Sequence, residues 1–84
     1  MAAGRDGEVT DLLVAAGDPL TDRECEVLRL VRDGHSNKIV GYELGIAENT
    51  VKIHVGKAMR KLDAPDRTAA VIYAIRDRWI GLDD

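Results

Sequence analysis

Residues 36–62, SNKIVGYELGIAENTVKIHVGKAMRKL, constrain this chain more than any other stretch. Ser36 is placed to cap a short helix whose apolar positions are Ile39, Val40 and Leu44, and Gly45 is suited to end it. A longer helix follows, from about Glu48 to Leu62. Its Val51, Val55, Ala58, Met59 and Leu62 fall at i, i+4, i+7, i+8 and i+11, one continuous apolar stripe. A short capped helix, a Gly-containing turn and an amphipathic helix together outline a helix-turn-helix, a device for placing its second helix in the DNA major groove.

The flanks extend the helical pattern. Thr21 followed three residues later by Glu24 makes a capping box, and Leu20 stands where a hydrophobic staple would be. The helix opened there buries Val27, Leu28 and Val31 and stops at Asp33-Gly34. Ala64-Pro65 breaks the chain after the long helix. Asp66 caps a fourth helix, whose apolar face is predicted to comprise Ala70, Val71, Ile72, Ala74, Ile75 and Trp79. Residues 1–18 are rich in Gly and Asp, with one weak helical patch from Asp11 to Ala16 closed by Gly17, and read as a linker or N-terminal arm. The expected organisation is that arm, a DNA-binding domain over 19–80 and a tail over 81–84, all-α with four helices.

Composition narrows the function. Phe is absent, so a chain of 84 residues must build its small core from aliphatic side chains, as helical bundles do. No apolar run reaches membrane-spanning length, the N-terminus lacks a signal-peptide core, and Cys25 stands alone; a cytoplasmic location is expected. The net charge of −3 argues against nucleic acid until it is divided along the chain. Residues 1–35 carry −4 and residues 63–84 carry −2, whereas residues 36–62 carry +3. Phosphate attraction follows the local field, so the cationic block sits where DNA would lie.

Advancing 100° per residue from the buried stripe turns Asn49, Ile53, Gly56, Lys57 and Arg60 outward, with Thr50 and Lys52 on the flanks. Asn suits adenine edges, Lys and Arg suit guanine or phosphate, and an outward Ile suits a thymine methyl. Each has a plainer explanation. Outward cations are commonly just solvated, a lone exposed Ile is ordinary, and His54 reads as a packed core-edge histidine. Their joint placement on one helix after a capped turn favours recognition. One Cys and two His without paired spacing give no metal site, and no catalytic arrangement, phosphate loop or cofactor motif can be assembled.

Several blocks together resemble the DNA-binding domain of the LuxR/FixJ (GerE-type) regulators, as in NarL-type response regulators. They are Leu20-Thr21-x-Arg23-Glu24-x-Glu26-Val27-Leu28, Gly34-x-Ser36-Asn37-Lys38, Leu44-Gly45-Ile46, Thr50-Val51-Lys52-x-His54-Val55, Lys61-Leu62 and Arg67-Thr68-x-Ala70-Val71. The resemblance implies a four-helix domain with a winged-helix-like core lacking a wing, with Lys52 and Ile53 entering the major groove; with the outward positions read from helical periodicity, the expected base-reading set is Asn49, Lys52, Ile53, Gly56, Lys57 and Arg60. The resemblance implies phosphate contacts from Asn37, Lys38 and Thr50, to which Ser36 and Lys61 are added as expected contacts. It further implies a homodimer through Val71, Ile72, Ile75 and Trp79 of the fourth helix, reading an inverted repeat. Thr21, Glu24 and Arg67 would be structural, with Glu24 and Arg67 pairing to tie the first helix to the start of the fourth. Double-stranded DNA is the implied partner, with RNA polymerase as a further one, and no small-molecule ligand or cofactor is implied. The likeness suggests a regulator with another domain, often a phosphorylatable receiver in this family, and LLVAAGDPLT is similar to the linker before such output domains.

Three positions depart from the family pattern. Gly56 stands where a basic residue is usual, at a helix-interior cost of about 1 kcal/mol relative to Ala. Ile39 stands where Glu is usual, and Ala47 removes a side-chain N-cap worth about 1 kcal/mol. Two alternatives therefore accompany the leading one: a domain like sigma-factor region 4, and a protein-interaction module that has lost DNA binding.

Overall fold

The computed structural model describes residues 13–84. Four helices are described in full: α1 (Asp22–Arg32), α2 (Asn37–Leu44), α3 (Glu48–Leu62) and α4 (Arg67–Arg76), with no strand among the described residues. The fold is all-α, as the periodicity predicts.

Each helix starts and stops for a local reason. The Glu24 N–H donates to Thr21 Oγ1 at 3.1 Å and the Thr21 N–H donates back to Glu24 Oε1 at 3.0 Å, completing the capping box of α1. Ser36 Oγ accepts from the Ile39 N–H at 3.3 Å, and Asp66 Oδ1 accepts from the Ala69 N–H at 2.8 Å. Ala47, at the N-cap of α3, has no side-chain acceptor to offer. Gly45 ends α2 in the left-handed region, φ 69°, where a Cβ is penalised. Asp63 ends α3 in the same region at φ 55°, a conformation that Asp and Asn tolerate better than most residues.

The core has two halves that share α3. Val27 of α1, Val40 of α2 and Val51 and Val55 of α3 form a compact aliphatic knot, with Leu30, Leu44 and Ile46 packed on it. Leu28, Ala58, Leu62, Ala70, Val71 and Ala74 join α1, α3 and α4, and Leu20, Ala64 and Ile80 close this second half. Val31 and Met59 pack against both. The small residues Ala58, Ala70 and Ala74 are fully buried and let the helices approach closely without any Phe.

The contact between α2 and the start of α3 is closer still. A Cβ built on Gly41 would stand 2.7 Å from the Ile46 carbonyl oxygen and 3.4 Å from the Glu48 nitrogen. The Ile46 N–H, in turn, donates to the Gly41 carbonyl at 2.9 Å. This glycine sets how tightly the turn folds.

Both ends of the described chain are tied down. The Gly17 N–H donates to the Lys61 carbonyl at 2.8 Å, so the incoming arm satisfies a last-turn carbonyl of α3. Of the patch from Asp11 to Ala16, the first two residues lie outside the described residues, Leu13 is helical, and Val14, Ala15 and Ala16 are not. A turn follows, with the Ala15 N–H donating to Asp18 Oδ2 at 2.9 Å and the Asp18 N–H to the Ala15 carbonyl at 3.0 Å. At the other end Ile80, only 4% exposed, plugs the second half of the core. Arg32 donates to the Gly81 carbonyl at 2.8 Å and pairs with Asp84, whose carboxyl is held down at about 2, chiefly by the Arg32 hydrogen bond.

Gly41→Val forces a branched Cβ against a backbone oxygen. It is expected to lower stability by about 1–3 kcal/mol, read from the midpoint of chemical denaturation; an unchanged midpoint would show that the turn yields.

Candidate nucleic-acid interface

The outer side of α3 is partly open to solvent, most of all at its two ends and at Lys52. Asn49, Lys52 and Arg60 are exposed, and Thr50, Ile53, Gly56 and Lys57 are half-buried. The residues predicted to read bases are therefore brought onto one accessible face, opposite Val51, Val55 and Ala58. At its near end, exposed Ser36 and Lys38 and half-buried Asn37 stand at the start of α2. The first turn of α2 presents backbone N–H groups as well, the arrangement that suits a phosphate.

Lys61 does not belong with them. It is only 8% exposed, and its Nζ donates to Glu24 Oε1 at 2.8 Å. Glu24, 2% exposed, thus receives both the Thr21 N–H and the Lys61 ammonium on one oxygen. Enclosing two such groups is tolerated only when each faces its partner. The predicted phosphate contact is corrected: Lys61 is an interior cation joining α3 to α1.

The expected Glu24–Arg67 pair is also replaced. Arg67 Nη1 donates to Asn37 Oδ1 at 2.5 Å and Nη2 donates to the His35 carbonyl at 3.3 Å. Arg67 thus ties the start of α4 to the α1–α2 turn, while Lys61 takes the place beside Glu24.

The predicted pairing surface divides. Val71 is 9% exposed and belongs to the core, and Ile75 is half-buried against it. Ile72 is 56% exposed, and Trp79, 37% exposed, lies beyond Arg76, where α4 ends. Of the four residues, Ile72 and Trp79 offer apolar surface to a partner.

His54 sits on the flank of α3 with Nδ1 buried and unpartnered among the described residues. Burial pushes its pKa below the ordinary 6.5, nearby Lys57 and Arg23 push the same way, and Glu24 opposes. Cys25 is buried and its thiol is pushed up by that burial, which makes it an unreactive packing residue. A cleft of about 390 Å³ beside it is lined by Leu20, Asp22, Glu26, Arg29 and Trp79 and touches no α3 residue. Among the described residues no helix is long and apolar enough to cross a membrane.

Residues 18–74 match the pattern of the bacterial regulatory proteins of the luxR family, which covers the capped α1, the turn, α3 and nearly all of α4. The chain belongs to the luxR family. Among relatives in this family, it is similar to the transcriptional regulatory protein DegU of Brevibacillus brevis, 49% identical over 61 residues, which cover 73% of this chain and 26% of that protein. It is also similar to the transcriptional regulatory protein LiaR of Bacillus subtilis, 44% identical over 63 residues, 75% of this chain and 30% of the relative. The response regulator protein VraR of Staphylococcus aureus is 44% identical over 61 residues, 73% of this chain and 29% of the relative. The chain thus spans less than a third of the length of these luxR-family relatives.

Lys61→Ala leaves the Glu24 carboxylate buried without its cation and is expected to cost about 3–5 kcal/mol of stability; a loss below 1 kcal/mol in urea denaturation would contradict the buried pair. The depressed His54 pKa means that below about pH 6.5 the unfolded chain binds the extra proton first. The stability present above that pH declines as pH falls through the window under 6.5, until the folded-state pKa is passed. His54→Gln should flatten this decline between pH 7 and about 5, above the range in which Asp33, Asp77 and Asp84 titrate. An unaltered pH profile would assign the decline elsewhere.

Proposed function

We propose that this chain is the DNA-binding output domain of a bacterial transcription regulator, reading sequence with the outer face of α3. The observation that carries this reading is the accessibility of Asn49, Lys52, Ile53, Gly56, Lys57 and Arg60 on one face of a helix held rigidly from behind. Lys52 and Ile53 are assigned to base edges, with Asn49, Lys57 and Arg60 reading or gripping on either side and Gly56 admitting a close approach. Ser36, Asn37, Lys38 and Thr50 are assigned to phosphates. The block from 36 to 62 carries +3 in a chain of net −3, and part of that charge is the neutralised Lys61. Phosphate attraction is therefore modest, and base contacts have to supply much of the affinity.

Two copies would pair through Ile72 and Trp79, setting two α3 helices about one DNA turn apart on an inverted repeat. The names of the relatives, transcriptional regulatory protein and response regulator protein, support a place in a response regulator; a receiver joined to this domain, RNA polymerase as a further partner and a cytoplasmic location belong to the same proposal. The domain boundaries that fit this reading are an arm over 1–18, the DNA-binding unit over 19–80 and a tail over 81–84.

A second reading has its own observation. Tyr42, 82% exposed, and Ile39, 41% exposed, lie on α2 beside the turn, apolar surface that suits a protein partner.

Fluorescence anisotropy of labelled duplexes over a salt series separates the roles. Lys38→Ala is expected to weaken binding to all sequences and to reduce the slope of log K against log salt by about 0.9 for each phosphate no longer neutralised. Lys52→Ala and Ile53→Ala are expected instead to change which bases are preferred. Identical behaviour of all three variants across sequences would refute the groove assignment, and no salt-sensitive binding at all would favour the protein-interaction reading.

A further inference from the structure

We propose that Arg67 is a positioning residue for DNA binding: it holds the side chain of Asn37, and the first turn of α2 with it, in the orientation that meets a phosphate. This inference rests on the DNA-binding reading and adds to it a residue that lies on α4, outside the helix-turn-helix.

The placement of Arg67 is unfavourable for α4 itself. It is the first residue of that helix, where a cation faces the positive end of the helix dipole, a disfavoured position by about 0.3–1 kcal/mol. Asp66 already caps α4 through the Ala69 N–H, so the guanidinium is not needed there. Its two donors go instead to the segment entering α2: Nη1 to Asn37 Oδ1 at 2.5 Å and Nη2 to the His35 carbonyl at 3.3 Å. These two acceptors flank Ser36, the N-cap of α2. A planar fork gripping one residue on each side of a cap fixes the cap's direction, which a single point charge cannot do.

The grip also decides what Asn37 can offer. Its carbonyl oxygen is taken by Arg67, so the amide NH₂ is the part left to meet a ligand, and NH₂ is a donor only. A donor beside the open N–H groups of a helix start, next to exposed Lys38, matches a phosphate oxygen. Released from Arg67, Asn37 would turn either end of its amide outward, and its oxygen would repel the same phosphate. Because Arg67 belongs to α4, the helix assigned to pairing, the link also joins pairing to the grip on the DNA backbone.

The test is a salt series of anisotropy titrations with a random-sequence duplex, on the whole chain, for Arg67→Gln, Arg67→Lys, Asn37→Ala and the double variant Arg67→Gln/Asn37→Ala. Loss of one hydrogen bond predicts binding weaker by about 3- to 10-fold for Arg67→Gln, with the salt slope unchanged, because no cation has left the phosphates. Asn37→Ala should show a similar loss, and the double variant should bind no worse than the single ones. Arg67→Lys keeps the charge and loses the fork, so it should still be weakened; it also serves if the Gln variant does not fold. Thermal melts of the folded variants separate positioning from stability, since positioning weakens binding at temperatures where the domain is intact. A slope reduced by about 0.9 in Arg67→Gln would make Arg67 a direct phosphate ligand and overturn the inference, as would full additivity in the double variant or wild-type binding by Arg67→Lys. If the unaltered chain itself shows no salt-sensitive binding, the DNA-binding reading fails and this inference with it. Normal binding by the unaltered chain with additive losses refutes the positioning role alone.

Discussion

One carboxylate oxygen, Glu24 Oε1, is the point on which the geometry of the domain converges. It accepts from the Thr21 N–H and so opens α1, and it accepts from Lys61 Nζ and so fixes the last turn of α3 against α1. Removing either charge from water is costly, and only their proximity and the extra hydrogen bond make the arrangement tolerable. The consequence is directional: a pair with both partners almost wholly enclosed permits one relative placement of the two helices, where aliphatic contacts alone would permit several.

That fixed placement lets α3 do two things at once. Its inner stripe is shared by both halves of the core, so it cannot rotate without opening one of them. Its outer face is consequently held in constant orientation with side chains of mixed chemistry. Small residues make this possible in a chain without Phe: alanines at the crossing of α3 and α4, and a glycine where α2 meets the turn. The net charge misleads because acidic residues populate the flanks of the chain and leave the segment from 36 to 62 cationic.

Much of this was legible from local pattern. Thr21, Ser36 and Asp66 cap the helices they were expected to cap, Gly45 ends α2, Ala47 caps nothing, and the stripe from Val51 to Leu62 is buried apart from half-buried Met59. These signals are read within a few residues. What escaped depends on residues far apart in the chain. Lys61 looks like one more solvated cation next to Leu62; its partner stands 37 positions earlier, and nothing in the neighbouring sequence marks a lysine for burial. The Glu24–Arg67 pair rests on resemblance alone; the partners Arg67 takes, Asn37 and the His35 carbonyl, stand 30 and 32 positions earlier and are not acids. Val71 and Ile72 are equally apolar, and a one-residue step, about 100° around the helix, decides that the first enters the core and the second faces out. Ile80 was missed because α4 stops at Arg76 and helical periodicity no longer applies to the residues that fold back.

The hydrogen bond from Gly17 to the Lys61 carbonyl gives the incoming arm a definite mooring. It lies nine residues along α3 from Lys52, roughly 14 Å at the ordinary helical rise. The arm is therefore hitched to the C-terminal end of α3, away from its leading tip. Strain arriving through the arm would be delivered at that end, where it would loosen a terminal carbonyl before it disturbed the outer face around Lys52.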